Sequence, residues 1–173
     1  MPSIITHIFY KYNNTFLVFS YIILGDIMGI IDYNNTDLDL MARLMRAEAL
    51  GEGDLGMLMV GNVIVNRALA NCLTFKNINS IQQVVYQTPG GFSGINSSLF
   101  QHAATTLEKE LATRNLNGQY YFPATNALWF YAPANNSNCV TLWYNQELSG
   151  KYKNHCFYKP YPPLLCNQDE QEG

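Results

Sequence analysis

The chemistry-bearing residue that stands out first is a carboxylate in the wrong place. In LMRAEALGEG (Leu44–Gly53), Glu48 falls in the middle of the apolar stripe of a predicted helix, one turn beyond Leu44 and Met45. A carboxylate on a packed helix face loses hydration, which disfavours its charged form and raises its pKa. That is the property a general acid needs near neutral pH. Glu52 is the natural second carboxylate. On an uninterrupted helix the two would be neighbours about 5–6 Å apart at Cβ, near the separation of a retaining glycosidase pair. Gly51 and Gly53 interrupt that helix, so Glu52 reads as a loop residue or a helper.

Other constellations compete. Asn62 and Asn66 lie four apart on one face of a second, apolar helix and need partners, either in a polar cleft or on loop backbone. Arg67 follows them and can pair with a carboxylate. His155-Cys156 invites a cysteine-hydrolase reading, but adjacent strand residues point to opposite faces and cannot form a dyad with each other. A zinc site from the same residues lacks ligand spacing, and no metal is expected.

These residues need elements to hold them. Thr36 or Asp37 can cap a helix from about Leu38 to Ala49, with Asp39, Arg43 and Arg46 on its polar side and Gly51 as a left-handed stop. Asp54 can cap a helix from Leu55 to about Ala70 that is apolar nearly all round, the mark of a buried central helix. A short helix should follow Ser80, TPGGFSG (Thr88–Gly94) is a turn cluster, and Ser98 can cap a helix from Leu99 to about Thr113. After Asn117-Gly118 come four short aromatic or β-branched runs read as strands: Tyr120–Phe122, Ala127–Ala132, Val140–Tyr144 and His155–Tyr158. The tail from Pro160 should fray.

The 173 residues suit one domain. With 48% hydrophobic and 13% charged residues the chain is globular, and the absence of any Lys/Arg-rich stripe gives no reason to expect nucleic acid. Most of the twelve Tyr, nine Phe and two Trp should be core, and a surplus suits a groove for sugar rings; Trp129, Tyr131, Trp143 and Tyr144 are candidate walls, with plain core the expectation for at least two of them. The four cysteines allow two disulfides in three pairings; the plainer reading is buried or free thiols of a reducing compartment. Phe16–Leu24 is an apolar run of signal-peptide length, too short for a stable membrane span, with poor flanks for cleavage. Met28 is an alternative start, which makes residues 1–27 an extension and 28–173 the catalytic domain.

Several segments together resemble one family. LMARLMRAEALGEGDLGMLMVGNVIVNR (Leu40–Arg67), YQTPGGF (Tyr86–Phe92), LWFYAP (Leu128–Pro133), WYNQ (Trp143–Gln146) and HCFY (His155–Tyr158) occur in the order found in the SleB/CwlJ group of bacterial cell-wall hydrolases, nearest the CwlJ-type spore cortex-lytic enzymes. The resemblance covers roughly residues 36–160. It implies an α+β fold of the lysozyme/transglycosylase type, a helical lobe followed by a small irregular β lobe. It implies cleavage of cortex peptidoglycan glycan strands during germination, with the glutamate of A-E-A-x-G-E, Glu48 here, as catalytic acid. Glu52 is carried as its helper, and Asn62, Asn66, Gln87, Phe92, Tyr121, Trp129, Trp143 and His155 as the expected substrate-binding set. It further implies synthesis in the cytoplasm without a cleaved signal, residence at the coat–cortex boundary, a GerQ-type coat protein partner, no cofactor for the chemistry, and calcium dipicolinate as activator. The expected reaction is lytic transglycosylation, with hydrolysis by water as the alternative. A cysteine amidase or peptidase using His155, and a non-catalytic wall-binding protein, are the rivals from other classes.

Overall fold

The computed structural model describes residues 5–12, 15–22 and 29–161. The first two segments are strands β1 (Ile5–Tyr12) and β2 (Thr15–Ile22), an antiparallel pair in which Ile5 faces Ile22 and Tyr12 faces Thr15. Most of the apolar run expected to resemble a signal segment therefore lies in β2. Its last residues, Ile23 and Leu24, and the proposed start at Met28 lie outside the described residues, as does the tail beyond Tyr161.

Five helices follow. α1 (Asn35–Ala49) begins three residues earlier than its sequence suggests, because Asn34 forms a reciprocal capping box with Asp37. It does not stop at a left-handed Gly51. A tight turn, Leu50–Glu52, carries the chain straight into α2 (Gly53–Ala70), and the residue with positive φ is Gly53. α2 is buried on nearly every side, as its all-round apolar sequence demands. α3 (Ile81–Val85) is capped by the Ser80 side chain. The single helix expected from Leu99 to Thr113 is two: α4 (Ser98–Gln101), capped by Ser97, and α5 (Thr106–Leu116), which restarts on a Thr105–Glu108 capping box. A second strong cap inside the periodic run is what splits it.

The core packs Met41, Leu44 and Met45 of α1 against Met59, Val60, Val63 and Ile64 of α2, with Ile81, Val84 and Val85 of α3 and Leu111 and Leu116 of α5 closing it. Gly61 lets α2 and α5 touch: a Cβ there would lie 2.1 Å from Asn115 Oδ1. Arg46, expected on the solvent side of α1, is buried. It pairs with Glu108 at 2.9 Å and donates to the carbonyls of Leu99, His102 and Ala103, so it satisfies the backbone that α4 leaves open.

The β region is an antiparallel sheet in the order β3-β6-β5-β4, built from β3 (Trp129–Tyr131), β4 (Leu142–Trp143), β5 (Gln146–Tyr152) and β6 (His155–Lys159). The expected strand at Tyr120–Phe122 is a loop, followed by a cis peptide at Pro123. β5, with the polar sequence QELSGKY, carries no apolar alternation and escaped the sequence reading. Phe157 of β6 enters the helical core, with Phe130 of β3 beside it in register. Cys156 and Tyr158 therefore occupy the opposite face of the sheet. The thiol expectation is corrected: Cys139 and Cys156 form a disulfide, Cys72 is disulfide-bonded too, and no cysteine among the described residues is free.

Candidate active site

Glu48 sits in the last turn of α1, where the helix axis meets the loop between α3 and α4. The Gly94 N–H donates to its Oε1 at 2.5 Å, and the Ser93 side chain hydrogen-bonds it as well. Burial pushes the Glu48 pKa up. The Gly94 N–H, the charge of Arg67 and the Ser93 bond oppose that rise, and burial prevails. The consequence is a carboxyl group that holds its proton to higher pH than a free glutamate.

Arg67 supplies the positive charge from α2. It is 4% exposed. Its guanidinium is sandwiched between Phe92 at 4.2 Å and Phe75 at 5.0 Å, and it donates to Leu128 O at 2.8 Å and Gly90 O at 3.2 Å. Among the described residues, none of the ion pairs within 4.0 Å includes it. Burial lowers its pKa to about 10, with Glu48 pulling the other way, so it is cationic at neutral pH. One side chain thus ties the Thr88–Gly94 loop to the entry of β3 and sets a fixed charge near Glu48.

Glu52 forms a different constellation. Its two carboxylate oxygens accept from Asn154, Oε2 from the backbone N–H at 3.1 Å and Oε1 from Nδ2 at 3.0 Å. Lys153 Nζ donates to the Glu52 carbonyl at 2.5 Å. The residue locks the β5–β6 turn onto the α1–α2 junction. His155 follows that turn; burial lowers its pKa and the Glu52 charge raises it. Its Nδ1 is buried without a hydrogen-bond partner. Rings connect the two constellations, Phe92 to Phe130 at 6.1 Å and Phe130 to His155 at 5.0 Å.

The remaining expected binding residues are engaged elsewhere. Asn62 is fully buried, and its amide spans the Gln119 carbonyl and the Tyr121 N–H at 2.7 and 2.8 Å. Asn66 Nδ2 reaches the carbonyls of Ala124, Thr125 and Ala127. Both hold the loop that leads into the sheet, the loop-backbone role the sequence had left open. Gln87 binds Thr74 O at 3.0 Å, and Phe92 is buried beneath Arg67. The Tyr121 hydroxyl is shared between Arg114 and Gln119. Trp129 packs on Phe75, and Trp143 stacks on Tyr131, both away from the Phe157 face. Sequence reasoning missed Ser93 and Gly94, although the turn-forming run TPGGFSG marked where a backbone could approach closely.

Comparison with known proteins decides the relationship. The family model described as Cell Wall Hydrolase matches residues 51–158. The chain belongs to that family. Within it, the cell wall hydrolase CwlJ of Halalkalibacterium halodurans is 49% identical over 133 residues, covering 77% of this chain and 92% of the relative. CwlJ of Bacillus subtilis is 44% identical over 133 residues, again 77% of this chain and 92% of the relative. These place it in the SleB/CwlJ group, on the CwlJ side. The catalytic domain of Bacillus cereus SleB superposes with a TM-score of 0.59 at 23% identity, covering 79% of this chain and 99% of that domain. The fold is therefore the helical lobe with a small sheet expected of lysozyme-like transglycosylases. Among the described residues, no helix is long and apolar enough to cross a membrane, and no cluster of His, Cys, Asp or Glu could hold a metal ion.

Proposed function

We propose that this cell-wall hydrolase cleaves the glycan strands of spore-cortex peptidoglycan with Glu48 as general acid. The observation that carries the reading is the environment of Glu48: a carboxyl made less acidic by burial, pinned through Oε1 by the Gly94 N–H, beside a fixed buried cation. The names of the relatives support the substrate, being cell wall hydrolases and, at 25% identity, a spore cortex-lytic enzyme of Bacillus cereus.

Glu48 donates its proton to the oxygen that links muramic acid C1 to the next glucosamine. The C1–O bond breaks with its electron pair going to that oxygen, leaving an oxocarbenium-like centre at C1. Glu52 is held by Asn154 and does not stand as a second free carboxylate. The C6 hydroxyl of the muramic residue therefore attacks C1, and its proton passes to the Glu48 carboxylate. The acid is regenerated and the product carries a 1,6-anhydro ring. A structure similar at 26% identity, the SleB catalytic domain of Bacillus anthracis, is described as a germination-specific lytic transglycosylase, which favours this outcome over hydrolysis.

Mass spectrometry of fragments released from purified cortex tests the reading. Anhydro-muramic ends support transglycosylation, reducing ends would replace it with hydrolysis, and freed stem peptides would sink the glycosidase assignment.

A further inference from the structure

Left-handed backbone in this chain falls mostly on residues suited to it. Asn71, Asn77, Asn135 and Asn145 tolerate positive φ. Of the others, Lys153 (φ 46) carries the turn that grips Glu52, and Leu73 (φ 50) follows the disulfide-bonded Cys72. Tyr144 (φ 46) gains less: its carbonyl accepts one long bond, from Gln146 Nε2 at 3.5 Å. It is the first residue of the two-residue turn between β4 and β5, where Trp143 faces Gln146 and both turn residues have positive φ. That is the geometry of a type I′ hairpin, whose first position favours Asn, Asp or Gly. The tyrosine is 83% exposed, and its hydroxyl makes no hydrogen bond among the described residues. Residues held in sparsely populated backbone regions cluster at functional positions.

The ring is backed rigidly. Trp143 meets it edge-on at 5.1 Å, Trp143 stacks on Tyr131 at 4.8 Å, and Tyr131 stacks on the buried Tyr158 at 5.7 Å. This ladder lies on the sheet face opposite Phe130 and Phe157, hence away from the rings that lead to Arg67 and Glu48. The tip carries no charge from Leu142 to Gln146. It offers the exposed amide of Asn145 instead; the Gln146 amide is turned inward, its Nε2 donating to the Tyr144 carbonyl at 3.5 Å and its Oε1 buried.

We propose that this hairpin tip is a second glycan-binding site, where a pyranose ring of the peptidoglycan strand packs its C–H face on Tyr144 while the amide of Asn145 meets hydroxyl or N-acetyl groups. An exposed aromatic ring beside a neutral amide suits an uncharged sugar face better than a charged peptide. A polymer long enough to extend beyond Glu48 can occupy both places, so the tip retains the enzyme on an insoluble substrate between cleavages. The proposal rests on the peptidoglycan reading given above.

The test uses the full chain carrying Glu48→Gln, so that binding is read without digestion. Sedimentation with protein-free cortex peptidoglycan should show that Tyr144→Asn weakens binding about tenfold, a single good ring contact's worth, and that Tyr144→Phe retains it. Tyr144→Asn should melt no lower than its parent, since asparagine suits the left-handed position. Equal sedimentation of the parent and Tyr144→Asn overturns the site and leaves the peptidoglycan reading standing. A fall of more than about 5 °C in Tm on removing the ring, the size of roughly one lost core-type contact, overturns it in favour of a structural role. Binding only to cortex that retains its coat proteins overturns it in favour of a protein partner. A parent that fails to sediment at all, with an active-site-intact chain that releases no glycan product, removes the peptidoglycan reading itself.

Discussion

The backbone N–H of Gly94 lies 2.5 Å from Oε1 of Glu48, and a Cβ on Gly94 would lie 2.8 Å from that same oxygen and 3.0 Å from the Cβ of Ala47. The Glu48 carboxyl can lie where it does because residue 94 has no side chain. Gly94→Ala requires no unusual backbone, so its effect is steric. It should displace the carboxyl and lower glycan cleavage about 10- to 100-fold, the scale of a misplaced catalytic group, while the circular dichroism spectrum stays that of the parent. Parent-level cleavage by Gly94→Ala would mean that the Gly94 contact does not position the acid.

Glu48→Gln keeps shape and hydrogen bonding and removes the transferable proton. Cortex lysis should fall about 10³-fold. Stability should move the other way. The folded pKa of Glu48 is raised, so its contribution is intact below the unfolded value and is lost as pH rises through the folded one. The melting temperature of Glu48→Gln should therefore exceed that of the parent at pH 8, and the difference should shrink toward zero at pH 4. An unchanged difference across that range would contradict the burial argument.

Arg67 acts on Glu48 by charge and, apart from that, ties the loop at Gly90 to the entry of β3; two substitutions separate these roles. Arg67→Met removes a cation that opposes the rise of the Glu48 pKa, so the basic limb of the pH–activity profile should shift to higher pH. It also leaves the carbonyls of Leu128 and Gly90 without this donor, at a cost of about 2–4 kcal/mol. Arg67→Lys keeps the charge but cannot make both bonds from between two rings. Its limb should stay near the parent's while its maximal rate falls. A basic limb that stays put in Arg67→Met would assign Arg67 to scaffolding alone.

The sequence disclosed the centre of the candidate site more readily than its surroundings. Glu48 was legible because a carboxylate in an apolar stripe breaks a local pattern, and α2 because an all-apolar helix has only one place to go. Arg46 was misread because helix periodicity records spacing and not the partners that long side chains reach, here Glu108 and three carbonyls nearly sixty residues away. Asn62 and Asn66 carried no sign of the loop they hold, since their partners are backbone carbonyls and an N–H, which every residue possesses. Gly94 stood in a run of turn residues that announces a turn and not what approaches it. The disulfide of Cys139 and Cys156 is a tertiary fact that four cysteines alone leave three ways open.

Glu52 offers the sharpest contrast with Glu48, because the two carboxylates four residues apart are held by different partners. Asn154 presents two donors to Glu52, one to each oxygen. Glu52→Gln must turn an amide NH₂ toward one of them, so one bond is replaced by opposed donors, a loss of about 1–3 kcal/mol. The melting temperature should fall, whereas Glu48→Gln should not lower it at neutral pH. His155 supplies an independent readout. Its pKa is depressed by burial and partly restored by the Glu52 charge, so neutralising Glu52 should move the His155 midpoint in an NMR titration further down. Cleavage should suffer less in Glu52→Gln than in Glu48→Gln. Should Glu52→Gln abolish cleavage with the fold and melting temperature preserved, the acid would be Glu52 and the lock on Asn154 incidental.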